Sequence, residues 1–171
     1  MCGNTNSDNT KHAVLFEYLH AATLLHDDLV DEAELRRGKP VANTLWNNAS
    51  VVLTGDFLLA RAVTLAAETG NIKVVQLMSQ ITEQMSQGEI SQLENRGKND
   101  LTESQYLDII HRKTAVLIMG ACKTGGLLSL ATDSQIKQLE TYGYNLGIAF
   151  QMADDLLDYS ADSSEMGKKT G

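Results

Sequence analysis

Residues 13–31 read Ala13-Val-Leu-Phe-Glu-Tyr-Leu-His-Ala-Ala-Thr-Leu-Leu-His-Asp-Asp-Leu-Val-Asp31. Val14, Leu15, Tyr18, Leu19, Ala22, Leu25 and Leu29 recur at intervals that place side chains along one stripe of an α-helix, so a helix is predicted over 13–30. It runs into three aspartates, Asp27, Asp28 and Asp31. The charged stretch to Lys39, with Gly38-Lys39-Pro40, then breaks the pattern. Carboxylates at a helix C-terminus oppose the helix dipole, and are disfavoured unless positive charge stands nearby. That placement makes the first acidic cluster informative.

Working outward, a second helix is predicted over about 42–68, with Gly70-Asn71 as its stop. A third carries Ile72, Val75, Met78, Ile81 and Met85 and is interrupted at Gly88. A glycine inside a helix costs about 1 kcal/mol against alanine, so Gly88 predicts a close approach by another element. A polar turn at 95–100 precedes Thr102-Glu-Ser-Gln, a capping pattern that opens a helix through Lys113 to about Leu130. Thr132 or Asp133 begins another that reaches Tyr159.

With a single proline and long Ala-, Leu-, Gln-, Glu- and Met-rich stretches, the 171 residues predict an all-α fold. Residues 1–10 read as a polar tail and 11–171 as one helical domain. Cys2 and Cys122 form no disulfide or metal pattern, which points to a reducing, cytoplasmic setting. A net charge of −8 argues against nucleic-acid binding, because neutralising backbone phosphates needs a basic face. No run of eighteen consecutive apolar residues predicts a membrane span, and the first residues lack the order of a signal peptide.

Asp154-Asp155-Leu-Leu-Asp158 is a near copy of Asp27-Asp28-Leu-Val-Asp31, again at the end of a predicted helix. Residues i and i+4 lie about 6 Å apart on one helix face, so Asp27 with Asp31, and Asp154 with Asp158, can reach shared ions. One such cluster is most simply a solvated face. Two with the same spacing suggest two walls of one site. Oxygen-only ligands of this kind suit Mg²⁺, which keeps waters and takes one or two carboxylates together with substrate phosphates. Cations to complete a diphosphate site are present as Arg36-Arg37, Lys113 beside Thr114, and Lys168-Lys169.

Leu25-His-Asp-Asp-Leu-Val-Asp31, Arg36-Arg-Gly-Lys-Pro40, Lys113-Thr114 and Phe150-Gln-Met-Ala-Asp-Asp-Leu-Leu-Asp-Tyr159 together resemble the trans-isoprenyl diphosphate synthases, above all the octaprenyl and related long-chain branch. The resemblance implies an isoprenoid-synthase-type helical bundle around a central cavity, in a homodimer that uses Mg²⁺ to add isopentenyl diphosphate to an allylic diphosphate. It implies that Asp27, Asp28, Asp31, Asp154, Asp155 and Asp158 hold the metal. Arg36, Lys113, Thr114, Gln151 and Lys168 would touch the allylic diphosphate, and Arg37 the isopentenyl diphosphate. The family's upstream Gly-Gly-Lys-x-x-Arg-Pro segment and its terminal helices find no match, so the resemblance implies a partial chain.

The growing product would pass Thr23 and Ala22, small residues one turn before Asp27. It would then reach Leu19 and Phe16 or Tyr18, which implies a product above twenty carbons. Two other readings compete. A non-catalytic or truncated partner subunit would have no need of six intact aspartates, and a class I terpene cyclase would carry an Asn/Ser/Glu-type second motif. His20, His26, His111 and Asp56 read as structural polar contacts, and Met78, Met85, Met119 and Met152 as core before tunnel.

Overall fold

A computed structural model describes residues 9–97 and 100–160. In order it comprises α1 (Asn9–Val30), a minimal hairpin of β1 (Leu35–Arg36) and β2 (Lys39–Pro40), α2 (Ala42–Leu45), α3 (Asn48–Glu68) and α4 (Ile72–Asn95). Then follow α5 (Glu103–Ile110), a π-helical turn at His111–Ala115, α6 (Val116–Leu128) and α7 (Asp133–Ser160). The all-α expectation holds. Among the described residues the one departure is the two-residue ladder, closed by Arg37 and Gly38 at φ 52° and 72°, the backbone a tight two-residue hairpin turn requires.

Helix starts follow the capping chemistry of the sequence. Thr102 and Gln105 form a reciprocal capping box on α5, and Thr132 with Gln135 repeats those bonds at α7. The predicted helix over 42–68 is in fact two. Trp46 is extended, and the Asn47 side chain accepts from the Ser50 amide to start α3 afresh. Conversely, α4 runs through Gly88 without interruption. The close approach predicted there is real, since a Cβ on Gly88 would lie 2.8 Å from Arg112 Cβ and 2.9 Å from the Lys113 nitrogen.

The core is built where α1, α3, α4 and α6 converge: Leu15, Leu19, Ala62, Leu65, Ala66, Val74, Leu77, Met78, Ile81 and Val116 are buried together. Each large side chain fully buried there contributes about 1.5–3 kcal/mol. A second packing element is glycine. A Cβ on Gly143 would sit 2.7 Å from Met119 Cα, and one on Gly147 would sit 2.4 Å from Ala115 Cα, so α7 lies backbone to backbone against α6 and the π turn. These contacts also fix direction, because Gly126 meets Leu139 and Ile136 while Gly147 meets Ala115, which makes α6 and α7 antiparallel. The π turn is therefore gripped from two sides, by Gly88 of α4 and Gly147 of α7.

Among the described residues one helix, α3, is long and apolar enough to cross a bilayer by length and composition. Here it packs on α1 through Gly55, whose Cβ would collide with the His26 ring, and leaves Val52, Leu53, Phe57 and Val63 exposed.

Candidate active site

The first acidic cluster occupies the last turn of α1. The chain leaves that turn with Glu32 at φ 50°, the Ala33 amide donating to the Asp28 carbonyl (2.9 Å) and the Glu32 amide to the Leu29 carbonyl (3.3 Å). This is a Schellman-type ending with a non-glycine residue in the left-handed position. It turns the chain into the hairpin, which brings Arg36 back over the aspartates. Arg36 donates from Nε (3.0 Å) and Nη2 (2.8 Å) to Asp28 Oδ1, and Asp28 is only 6% exposed. The positive charge demanded by the helix end is thus supplied eight residues downstream.

An open cavity of about 1550 Å³ is lined by both acidic clusters. From α1 it takes Asp27 and Asp28, with Asp31 in the turn directly after it, and from α7 Asp154, Asp155 and Asp158. Arg36, Arg37, Lys113, Thr114 and Gln151 also line it. The structure therefore brings together every proposed site residue that it describes; Lys168 lies outside the described residues. Lys113 Nζ is held across the cavity by Glu89 (3.0 Å) and Gln92 (3.0 Å) of α4. On the opposite side Thr114 Oγ1 donates to Gln151 Oε1 (2.7 Å) and Gln151 Nε2 to Asp155 Oδ1 (2.8 Å). Lys113 and Thr114 are consecutive, both line the cavity, and both sit in the π turn, a distortion often found at functional sites.

The electrostatics show what this concentration of carboxylates does. Burial, reinforced by Glu89 and Asp31 against the relief from Lys113 and Arg36, pushes the Asp27 carboxyl up to about 6. A carboxylate buried in this way beside other anions is suited to a bound cation. Among the described residues no three His, Cys, Asp or Glu side chains form a ready-made metal cage. That is compatible with Mg²⁺, which binds through few carboxylates plus waters and substrate phosphates. The oxygen-only donor set and the raised Asp27 fit the ion.

The cavity also has a direction. Asp27 and Lys113 stand at its polar end. Phe16, eleven residues earlier on α1, lies near Gly120, seven residues later on the other wall, where a built Cβ would be 3.5 Å from the Phe16 ring. Between them the lining is Leu19, Ala22, Thr23, Leu59, Met85, Leu117 and Ile118. Of the two deep aromatics on α1, Phe16 lines this space and Tyr18 packs against the core. Of Met78, Met85, Met119 and Met152, Met85 lines it, Met78 is core, Met119 packs partly buried against the core, and Met152 is half exposed.

Sequence reasoning missed Glu89, Gln92, Tyr106 and Arg96. Tyr106 Oη donates to Asp155 Oδ2 (2.6 Å), and Arg96 reaches Asp31 at 3.8 Å. A usable signal existed for the first pair: Glu89 directly follows the glycine that admits Lys113, and Gln92 lies one turn on. His26, His111 and Asp56 behave as structural contacts, whereas His20 is exposed on the cavity lining. His26 Nε2 lies 3.3 Å from the Val52 carbonyl oxygen and 3.4 Å from Asp56 Oδ1, and His111 rests against Tyr144 with its pKa lowered by burial.

Comparison with known proteins agrees with this geometry. Octaprenyl diphosphate synthase of Escherichia coli (strain K12) is 45% identical over 159 residues, covering 93% of this chain and 49% of that protein. The crystal structure of a polyprenyl synthase from Caulobacter crescentus CB15, complexed with calcium and isoprenyl diphosphate, superposes with a TM-score of 0.91 at 39% identity, over 98% of this chain and 52% of that one. Heptaprenyl diphosphate synthase from Staphylococcus aureus gives a TM-score of 0.93 at 32% identity, over 98% and 54%. The chain spans about half the length of the curated relatives it matches. The polyprenyl synthetase family model matches residues 1–171, and the chain belongs to that family.

Proposed function

We propose that this chain carries the allylic-diphosphate half of an Mg²⁺-dependent prenyltransferase, which condenses isopentenyl diphosphate with an allylic diphosphate to a medium- or long-chain polyprenyl diphosphate. The observation that carries the reading is a single cavity with carboxylates and cations at one end and an apolar bore at the other. A ligand matched to it has a diphosphate head and a hydrocarbon tail. The calcium and isoprenyl diphosphate named for the Caulobacter crescentus structure have that chemistry.

Asp27, Asp28, Asp31, Asp154, Asp155 and Asp158 would hold the ions. Bound magnesium supplies charge that stabilises the departing diphosphate. The chain's own contribution is electrostatic and steric. Arg36 holds the Asp28 carboxylate in place through two hydrogen bonds. Lys113 and Thr114 present a cation and a hydroxyl to the diphosphate, with Gln151 beside them, and Lys168 is assigned the same ligand. Arg37, exposed at the hairpin tip and lining the cavity, is assigned to isopentenyl diphosphate. The allylic carbon–oxygen bond ionises, the alkene attacks the cation, and the proton lost goes to the diphosphate released. No protein nucleophile is needed. Leu117, Ile118 and Met85 exclude water from the cation and receive the tail.

The exposed apolar side chains Val52, Leu53, Phe57 and Val63 of α3 support assembly as a homodimer. Residues 11–171 are read as part of a longer helical domain. The test is condensation of radiolabelled isopentenyl diphosphate by the protein carrying this chain. Asp27→Ala or Asp155→Ala should slow it about 10³-fold, roughly 4 kcal/mol of transition-state charge stabilisation. Undiminished turnover in EDTA would overturn the reading.

A further inference from the structure

Asp155 receives a hydrogen bond on each carboxylate oxygen, from Gln151 Nε2 on Oδ1 (2.8 Å) and from Tyr106 Oη on Oδ2 (2.6 Å). Its neighbours in the motif, Asp154 and Asp158, are exposed, whereas Asp155 is partly buried. Gln151 is one turn away on the same helix, while Tyr106 comes from α5, 49 positions distant. An O–H donor at this separation from a carboxylate is a charge-assisted bond, roughly twice as strong as a neutral one.

Tyr106 is itself well anchored. It lies in the first turn of α5, directly after the Thr102 and Gln105 capping box, and α5 continues into the π turn gripped by Gly88 and Gly147. The phenol therefore reaches α7 from a support fixed independently of it. A chain of hydrogen bonds runs Thr114, Gln151, Asp155, Tyr106, joining the lysine and threonine wall to the second acidic cluster.

We propose that Tyr106 is a positioning residue for the second Asp-rich turn: its hydroxyl fixes the rotamer of Asp155 so that the carboxylate faces the diphosphate site before ions and substrate arrive. This rests on the function proposed above. A carboxylate locked by its outer partner loses less rotamer freedom on binding an ion, and removing such a partner typically costs 10–100-fold in metal affinity.

The test is direct binding of Mn²⁺ in the presence of inorganic diphosphate, followed by the paramagnetic resonance signal of the free ion, with no turnover required. Tyr106→Phe keeps the ring and removes the hydroxyl. The expected result is wild-type helical circular dichroism with Mn²⁺ binding weakened about 10–100-fold. In an Asp155→Asn background the same substitution should cost less than about twofold, because the partner it serves has gone. Two results would overturn the inference: wild-type binding by Tyr106→Phe, or an equal loss in both backgrounds, which marks the phenol as a strut between α5 and α7. Failure of the underlying function looks different, since then neither the wild type nor Asp155→Asn shows diphosphate-dependent Mn²⁺ binding to compare.

Discussion

Two glycine-to-alanine substitutions in neighbouring helices should have opposite signs. At Gly147 the added Cβ would lie 2.4 Å from Ala115 Cα, 2.8 Å from its Cβ and 3.2 Å from its carbonyl oxygen. None of these atoms can swing aside. Ordinary contact begins near 3.4 Å, so α7 must withdraw from the π turn by about 1 Å, an overpacking that costs roughly 1–3 kcal/mol. At about 2–4 °C per kcal/mol for a domain of this size, the thermal midpoint should fall by about 2–12 °C. The damage should also travel. Gln151 stands one turn further along α7, and its 2.7 Å bond from Thr114 would stretch beyond hydrogen-bonding range under the same shift. Gly147→Ala should therefore weaken Mn²⁺ and diphosphate binding in addition to melting early.

At Gly125, in the exposed part of α6, a Cβ meets nothing within 4 Å. Alanine there only removes backbone freedom from the unfolded chain, and should stabilise by about 0.5–1 kcal/mol. Circular dichroism melts of both variants decide the matter. Equal midpoints for Gly147→Ala and wild type would refute the backbone-to-backbone packing of α7 on the π turn.

Three further outcomes are expected. A carboxyl with a raised folded-state pKa contributes stability that is complete below its unfolded value of 3.8 and is lost as pH climbs through about 6. Asp27→Asn should thus raise the midpoint of the EDTA-treated chain at pH 7–8 by the equivalent of about 1–2 kcal/mol after solvent screening, and leave it unchanged near pH 3.5; equal curves at neutral pH would contradict the crowding of Asp27. Ala22, 2% exposed and one turn before Asp27 on the cavity wall, should act as a floor when enlarged, so Ala22→Phe shortens the products seen by chromatography after dephosphorylation while the first condensation persists; an unchanged length distribution from an active variant would remove Ala22 from the tunnel. Arg36→Ala removes both hydrogen bonds from the buried Asp28 carboxylate, which should cost about 1–3 kcal/mol in stability unless Asp28→Asn accompanies it; a single variant that melts like the wild type would mean water already satisfies Asp28.

What could be read from the sequence was what local chemistry dictates. The Asp motifs, the Thr102 capping box and the glycine inside the helix at 88 are each legible from a few neighbouring residues, and each stands where the sequence pattern puts it. The misses share a different cause. Asn47 is one of several polar residues, with Asn43, Thr44, Asn48 and Ser50, scattered among the apolar residues of 41–53, so nothing local marks it as the cap. Tyr106 and Glu89 read as ordinary surface helix positions, and only tertiary contact with α7 and the π turn gives them a role. Gly147 was unreadable for the same reason, because its partner Ala115 is 32 residues away in the chain.

The π turn has one more consequence, which concerns angular phase. Cavity-lining residues on this wall fall at 106 and then in the adjacent pairs 109 and 110, 113 and 114, 117 and 118, and 121 and 122, the pairs recurring every four. A regular helix repeats every 3.6 residues or so, and a stripe spaced by four drifts by about 40° per step, roughly 160° over the wall. Uncorrected, Cys122 would end almost opposite Tyr106. The widened turn absorbs part of that drift, so the cations at the mouth and the apolar side chains in the depth belong to one continuous surface. The count of residues between Thr102 and Ala115 is therefore under tighter constraint than their identity. Deleting Leu107 alone would keep every charged group, yet swing Tyr106 about 100° out of line with Lys113 and Thr114.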